Sequence, residues 1–233
     1  MKIGILHCGH TAPSVIARHG EYAEMFQRLL AGPGREFVTW DVVDGKFPDG
    51  AGDADAWVMT GSPLGVYEPH GFIAPLEALT RDIVAARRPL AGICFGHQLI
   101  AQALGGTVGK HPGGWRMGPQ PYRVDGMPAP VTLHAWHQDQ VSVAPPDAQV
   151  IASGPDCAIA GMAIGSRGLS LQAHPEFTDG VVTDLSAARR DAANFANAPF
   201  AEAEAKLGAP IDRDWAAQRI GTFLEQTKTR IDG

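Results

Sequence analysis

Leu90-Ala91-Gly92-Ile93-Cys94-Phe95-Gly96-His97-Gln98-Leu99 reads as an apolar strand that runs into a cysteine and out again into a helix. Gly92 and Gly96 flank Cys94 at two positions' distance on either side. A side chain at a sharp strand-to-helix turn projects above the carboxyl edge of its sheet, and neighbours two positions away must be small or their Cβ atoms collide. A helix starting at Phe95 aims free N–H groups at the sulfur, which favours thiolate, and the Phe95 N–H is placed to meet an oxyanion. The competing reading is that Cys94 is a small core residue, since free cysteines are commonly buried and inert.

Outward from this turn, residues 2–8, 36–43, 56–60 and 89–93 read as strands, and residues 21–30, 73–86 and 95–104 as helices, the last ending at Gly105-Gly106. Strands alternating with helices of this length predict βαβ units on a largely parallel sheet. From Thr107 to about Leu171 the pattern changes to short β-like runs at 131–136, 141–143, 149–153, 158–164 and 169–173. They predict an antiparallel or mixed extension of the same domain. From Thr178 the spacing is mainly helical. The expectation is one α/β domain over 1–233, with a core of about 1–177 and a helical tail of about 178–233.

A thiol nucleophile needs a base. Leu171-Gln172-Ala173-His174-Pro175-Glu176-Phe177 supplies a histidine and a carboxylate two positions apart. In an extended segment such residues share a side, and Pro175 restricts His174 to extended conformations. A carboxylate beside an imidazole selects its tautomer and supports the imidazolium. Alone, the tripeptide also fits a turn histidine with a solvated glutamate; together with the cysteine turn it predicts a catalytic set.

The bulk composition sets the remaining bounds. Hydrophobic residues at 45% and charged residues at 19% fit a folded globular chain. The net charge of −6 opposes nucleic acid or an anionic membrane as the main partner. The N-terminus turns polar too early for a secretion signal, and no apolar run approaches the ~20 residues of a membrane span. Three widely separated cysteines give no disulfide framework, so a cytoplasmic setting is expected. Cys8 and Cys157 read as structural, although Cys8 lies at a strand end near the expected site. His134, His137 and Asp139, or His7 with His10, offer donor atoms, but residues three apart on a strand face opposite sides and no Cys-x-x-Cys supports zinc. No metal and no cofactor are expected. Gly32-Pro33-Gly34 and Gly109-Lys110-His111 lack the rest of a nucleotide fingerprint and read as turns. Trp57, Trp115, Trp136 and Trp215 read as core or pocket wall.

Gly92-Ile93-Cys94-Phe95-Gly96-His97-Gln98 together with His174-Pro175-Glu176 resembles the class I (triad) glutamine amidotransferase family. Met59-Thr60-Gly61-Ser62-Pro63-Leu64-Gly65-Val66-Tyr67 is similar to that family's oxyanion loop. The resemblance runs from Lys2 to about Phe177 and is closest to the glutaminase domain of GMP synthetases and its stand-alone relatives. It implies a flavodoxin-like three-layer core and hydrolysis of a γ-glutamyl amide, glutamine first, through a γ-glutamyl thioester. By position, Cys94 is then the nucleophile, His174 the base and Glu176 the orienter, with Ser62 and Phe95 forming the oxyanion hole. Gly61, Gln98, His137, Gln138 and Asp139 would hold the substrate. Two stretches depart from the family. Ser62 replaces a second glycine, which keeps the backbone N–H. Gly114-Trp115-Arg116-Met117-Gly118 stands where an Arg-Glu-aromatic-Gly stretch is common. Three functions follow: a glutaminase serving a separate ammonia-accepting synthetase, a free-standing γ-glutamyl peptidase or hydrolase acting on a peptide or conjugate, and a flavodoxin-like binding or regulatory protein without the chemistry.

Overall fold

In Ala56-Trp57-Val58-Met59 the two bulky residues Trp57 and Met59 face one side and Ala56 and Val58 the other, and all four are buried. A strand buried on both faces is a central strand of a parallel sheet with helices above and below. The computed structural model describes residues 1–226 and bears this out. In chain order its elements are β1 (Lys2–Leu6), α1 (Pro13–His19), α2 (Tyr22–Leu29), β2 (Glu36–Trp40), β3 (Ala56–Met59), α3 (Ile73–Ala85), β4 (Leu90–Ile93), α4 (Phe95–Ala103), β5 (Thr107–Lys110), β6 (Arg116–Val124), β7 (Val131–His137), β8 (Asp139–Val143), β9 (Ala148–Gly154), β10 (Cys157–Ile164), β11 (Gly168–Leu171), α5 (Asp179–Arg189), α6 (Phe200–Ala205) and α7 (Arg213–Leu224).

The main sheet has nine strands in the order β2-β1-β3-β4-β11-β10-β9-β6-β7, and β5 pairs with β8 as a separate ribbon. From β2 to β11 every pairing is parallel; from β11 to β7 every pairing is antiparallel. The parallel half has the flavodoxin-like order, in which ligands bind beyond the carboxyl ends of the strands. On one face, Trp57, Met59 and Leu90 pack under α3 and α4 through Leu76, Leu79, Ile83, Leu99 and Ile100. On the other, Ile3, Ile5, Val58, Ala91, Ile93, Leu169 and Leu171 pack against Phe26 and Leu30 of the α2 end and against Ile220, Phe223 and Leu224 of α7. The C-terminal helix therefore completes a layer of the sandwich rather than trailing from it. Residues 227–233 of the helical-tail reading lie outside the described residues.

Several local expectations shift. The first two strands end early, at Leu6 and Trp40, and the second is followed by a 3-10 turn at Val42–Asp44. Gly109 and Lys110 are strand, not turn, because β8 offers them a ladder. β6 escaped sequence reading because it holds Pro119 and Pro121. The two missing N–H groups lie on the same side of the strand. β9 reaches β6 only at Arg123 and Val124, so the prolines interrupt no ladder there. No helix among the described residues is long and apolar enough to cross a membrane.

Candidate active site

Cys94 caps the N-terminus of α4 with φ of 52° and ψ of −102°, a sparsely populated conformation for a residue with a side chain. The surroundings over-determine it. Its N–H donates to Leu171 O at 2.8 Å, and its carbonyl accepts from the Gln98 N–H at 3.0 Å. A Cβ on Gly92 would fall 2.6 Å from Gly96 O, and one on Gly96 would fall 2.5 Å from Met59 O. Both glycines are therefore required for α4 to pack this close to β3 and β4. The Phe95 N–H, at the first helical position, has no intrahelical acceptor.

β11 lies beside β4 in parallel register, Leu171 opposite Ile93, so the chain leaves both strands at one edge. His174 follows β11, tied through its N–H to His134 O at 2.8 Å. Its Nδ1 donates to Glu176 Oε1 at 2.7 Å, and both side chains are almost fully buried. Phe177 stacks on the imidazole with centroids 4.1 Å apart, leaving Nε2 buried and without a hydrogen bond in the protein. Burial opposes charging His174, but the charge of Glu176 and then negative charge on the Cys94 sulfur outweigh it and push the imidazole pKa up to about 10. Gly61 closes the third side: a Cβ there would fall 2.9 Å from His174 Cε1 and 3.9 Å from Cys94 Cβ.

A cleft of about 200 Å³ opens over Cys94 and His174. Ser62, Gln98, His137, Gln138 and Asp139 all line it. Gln98 Nε2 donates to Asp139 O at 2.8 Å, and Tyr67 Oη donates to Asp139 Oδ2 at 3.1 Å. Burial raises the Asp139 carboxyl above its ordinary range, with Tyr67 pulling the other way. Burial and the neighbouring His174 lower the pKa of His137 to about 3, and both its ring nitrogens are buried without a partner in the protein. His134 turns away instead, its Nε2 3.1 Å from Asp179 Oδ1.

The family model described as Glutamine amidotransferase class-I matches residues 36–184. The chain belongs to the class-I glutamine amidotransferase family. Gamma-glutamyl peptidase 3 of Arabidopsis thaliana is 26% identical over 182 residues, covering 72% of this chain and 73% of that protein. The glutamine-hydrolyzing GMP synthase of Mycolicibacterium paratuberculosis is 34% identical over 236 residues, covering 97% of this chain but 39% of that longer protein. A solved glutamine amidotransferase from Thermotoga maritima superposes with a TM-score of 0.76 at 17% identity, each chain covered to 97%. These relatives support an amidohydrolase.

In this amidotransferase site Gln172, Arg213 and Phe195 were not singled out by the sequence, whereas Trp115 and Trp136 already read as core or pocket wall. Gln172 Nε2 donates to Cys94 Sγ at 3.5 Å, and its Oε1 accepts from Gln98 Nε2 at 3.2 Å. Its position two residues before His174 on an extended segment is the signal that places it on the same side. Arg213, at the start of α7, donates through Nε to Pro175 O at 3.0 Å and so pins the backbone between His174 and Glu176. The far wall of the cleft is aromatic: Trp115 stacks on Phe195 at 4.2 Å, its Nε1 donates to Asn194 O at 3.0 Å, and Trp136 leans on both Phe195 and Phe200. Leu185, Arg189, Asn194 and Phe195 of the C-terminal segment all line the cleft. Cys8 is not part of it. Its Sγ donates to Leu6 O at 3.2 Å, and complete burial pushes its thiol well up.

Proposed function

We propose that the chain hydrolyses a γ-glutamyl amide through a γ-glutamyl thioester on Cys94. The observation that carries this is a buried imidazole fixed through Nδ1 by Glu176, with Nε2 free beside a thiol held at positive φ on a helix N-terminus. The Cys94 thiol passes its proton to His174 Nε2, and the sulfur attacks the amide carbonyl carbon. The oxyanion is met by the Phe95 N–H and by the Ser62 N–H of the Gly61-Ser62-Pro63 loop. Collapse breaks the C–N bond as the His174 imidazolium gives its proton to the departing amine. His174 Nε2 then takes a proton from water, whose oxygen attacks the thioester and releases the acid and the thiol. Gln98, His137, Gln138 and Asp139 offer donors and acceptors for the glutamyl α-amino and α-carboxylate groups. Gly61 keeps the approach to His174 open.

The pH response follows from what raises His174. Its imidazolium is the leaving-group acid, and Glu176 is the leading group that stabilises it. Removing that charge lowers the pKa, so the imidazolium is lost at lower pH. In Glu176→Gln the alkaline limb of kcat moves downward in pH, along with a fall in kcat. An alkaline limb that stays in place would refute Glu176 as the group that tunes the base.

Glutamine with ammonia passed to a separate synthetase is one reading; a γ-glutamyl peptide or conjugate is the other. The aromatic wall of Trp115, Trp136 and Phe195 with Arg189 at its margin favours the second, since ammonia needs no such surface. Parallel kcat/KM measurements on glutamine, γ-glutamyl peptides and glutathione separate the two. A peptide preference of about tenfold or more, equivalent to ~1.4 kcal/mol of transition-state binding, is expected. Faster turnover of glutamine would favour the synthetase-linked glutaminase.

A further inference from the structure

The loop that leaves β1 runs along the carboxyl edge of the sheet and meets the start of α2. There His7, His10 and Glu21 each bring one ligand atom to a common point, all within 4.8 Å of one another. His10 Nδ1 lies 2.8 Å from Glu21 Oε1, and His7 Nε2 lies 3.6 Å from Glu21 Oε2. None of the three lines the Cys94 cleft. The sequence offered His7 and His10 as a pair but gave no sign that Glu21, capping α2, turns back onto them.

Two observations set this apart from a solvated cluster of charges. His7 is 1% exposed, yet its Nε2 makes no hydrogen bond and points at the Glu21 carboxylate across a gap too long for one. A buried imidazole nitrogen left this way is costly unless something occupies the gap. The outer nitrogens are both matched to carboxylates, while His10 Nδ1 is hydrogen-bonded to Glu21 Oε1 through a proton that a bound cation would displace. His7 Nδ1 is 3.1 Å from Asp41 Oδ1, and His10 Nε2 is 3.3 Å from Asp44 Oδ2. A ring N–H donated outward to a carboxylate leaves the inner nitrogen as a lone-pair donor, which is the arrangement that orients histidine ligands. Asp41 and Asp44 bracket one 3-10 turn, so a single element supplies both supports.

We propose that His7 Nε2, His10 Nδ1 and a Glu21 carboxylate oxygen form a site for a borderline divalent transition-metal ion, zinc above all. Two imidazoles and one carboxylate suit zinc rather than calcium or magnesium, which prefer all-oxygen shells. The His10 side chain is 46% exposed, which leaves the outer coordination position to water. The site braces a segment that the cleft rests on. A Cβ on Gly9 would fall 2.5 Å from Ser62 Oγ and 2.6 Å from Pro63 Cδ, so the ligand-bearing loop packs directly on the Gly61-Ser62-Pro63 loop.

The test uses full-length Cys94→Ala protein, so that the Cys94–His174 pair contributes no competing thiol site. It is stripped with a chelator and titrated with zinc by calorimetry. One ion per chain is expected, bound at micromolar concentration or tighter. His10→Ala and Glu21→Gln should each weaken it ~10- to 100-fold, and Asp44→Asn by about tenfold. His10 is exposed enough that its removal leaves the fold in place, which circular dichroism checks. No stoichiometric zinc, or zinc binding unchanged in both ligand variants, overturns the site.

Discussion

Cys94→Ala is expected to lower turnover by about 10⁴-fold or more, with the fold unchanged. The loss is large because the proposed thioester cannot form, and the remaining groups act as a unit around the missing sulfur. The fold persists because alanine fills the same turn and keeps the Leu171 and Gln98 backbone bonds. Cys94→Gly makes a pointed control. Relief of the positive φ should make the glycine variant more stable than the alanine variant by about 1 kcal/mol, although both are inactive. Thermal denaturation and a γ-glutamyl hydrolysis assay on both proteins provide the readouts. Substantial turnover by Cys94→Ala would end the mechanism.

The second large effect is on structure. A Cβ at Gly96 would sit 2.5 Å from Met59 O and 3.0 Å from Met59 Cβ, and the first of these is backbone at the end of a central strand. Neither side yields cheaply: moving α4 displaces Cys94 and Phe95, and moving β3 displaces Gly61. Gly96→Ala should therefore cost about 2–3 kcal/mol and lower the melting temperature by about 4–12 °C. The remaining folded protein should lose about 100-fold in kcat through misplacement of the sulfur against His174. Gly71→Ala, where nothing lies within 4 Å, should change neither. Equal behaviour of the two variants would show that the close approach of α4 to β3 is not a constraint.

The parts of this structure that were legible in the sequence are those decided by neighbours in the chain. The glycines around Cys94 report a local collision, and Pro175 reports a local backbone restriction, so both halves of the proposed site stood out. The central strands were equally legible because burial on two faces leaves a continuous apolar run. Gln172, Arg213 and Phe195 were not, because their roles depend on which strands lie side by side and on where α7 and the segment after α5 return. β6 was hidden because a proline is excluded from a strand only where a partner needs its N–H, and strand partners are a property of the whole sheet. The His7–His10–Glu21 convergence was hidden for the same reason: the helix cap turns its carboxylate across a loop.

The pairing of β4 with β11 also governs when the site comes into being. Cys94 and its sulfur-bound partner Gln172 are 78 residues apart, yet their strands are adjacent. On the ribosome Cys94 emerges long before β9, β10 and β11 exist, and the slot beside β4 stays empty until β11 inserts. Pairings of this sequence separation form late in folding. Until then the thiol has no Leu171 carbonyl to fix its backbone, no Gln172 amide and no imidazole. Nascent and misfolded chains consequently lack the assembled site, and the nucleophilicity proposed for Cys94 would arrive together with the completed sheet.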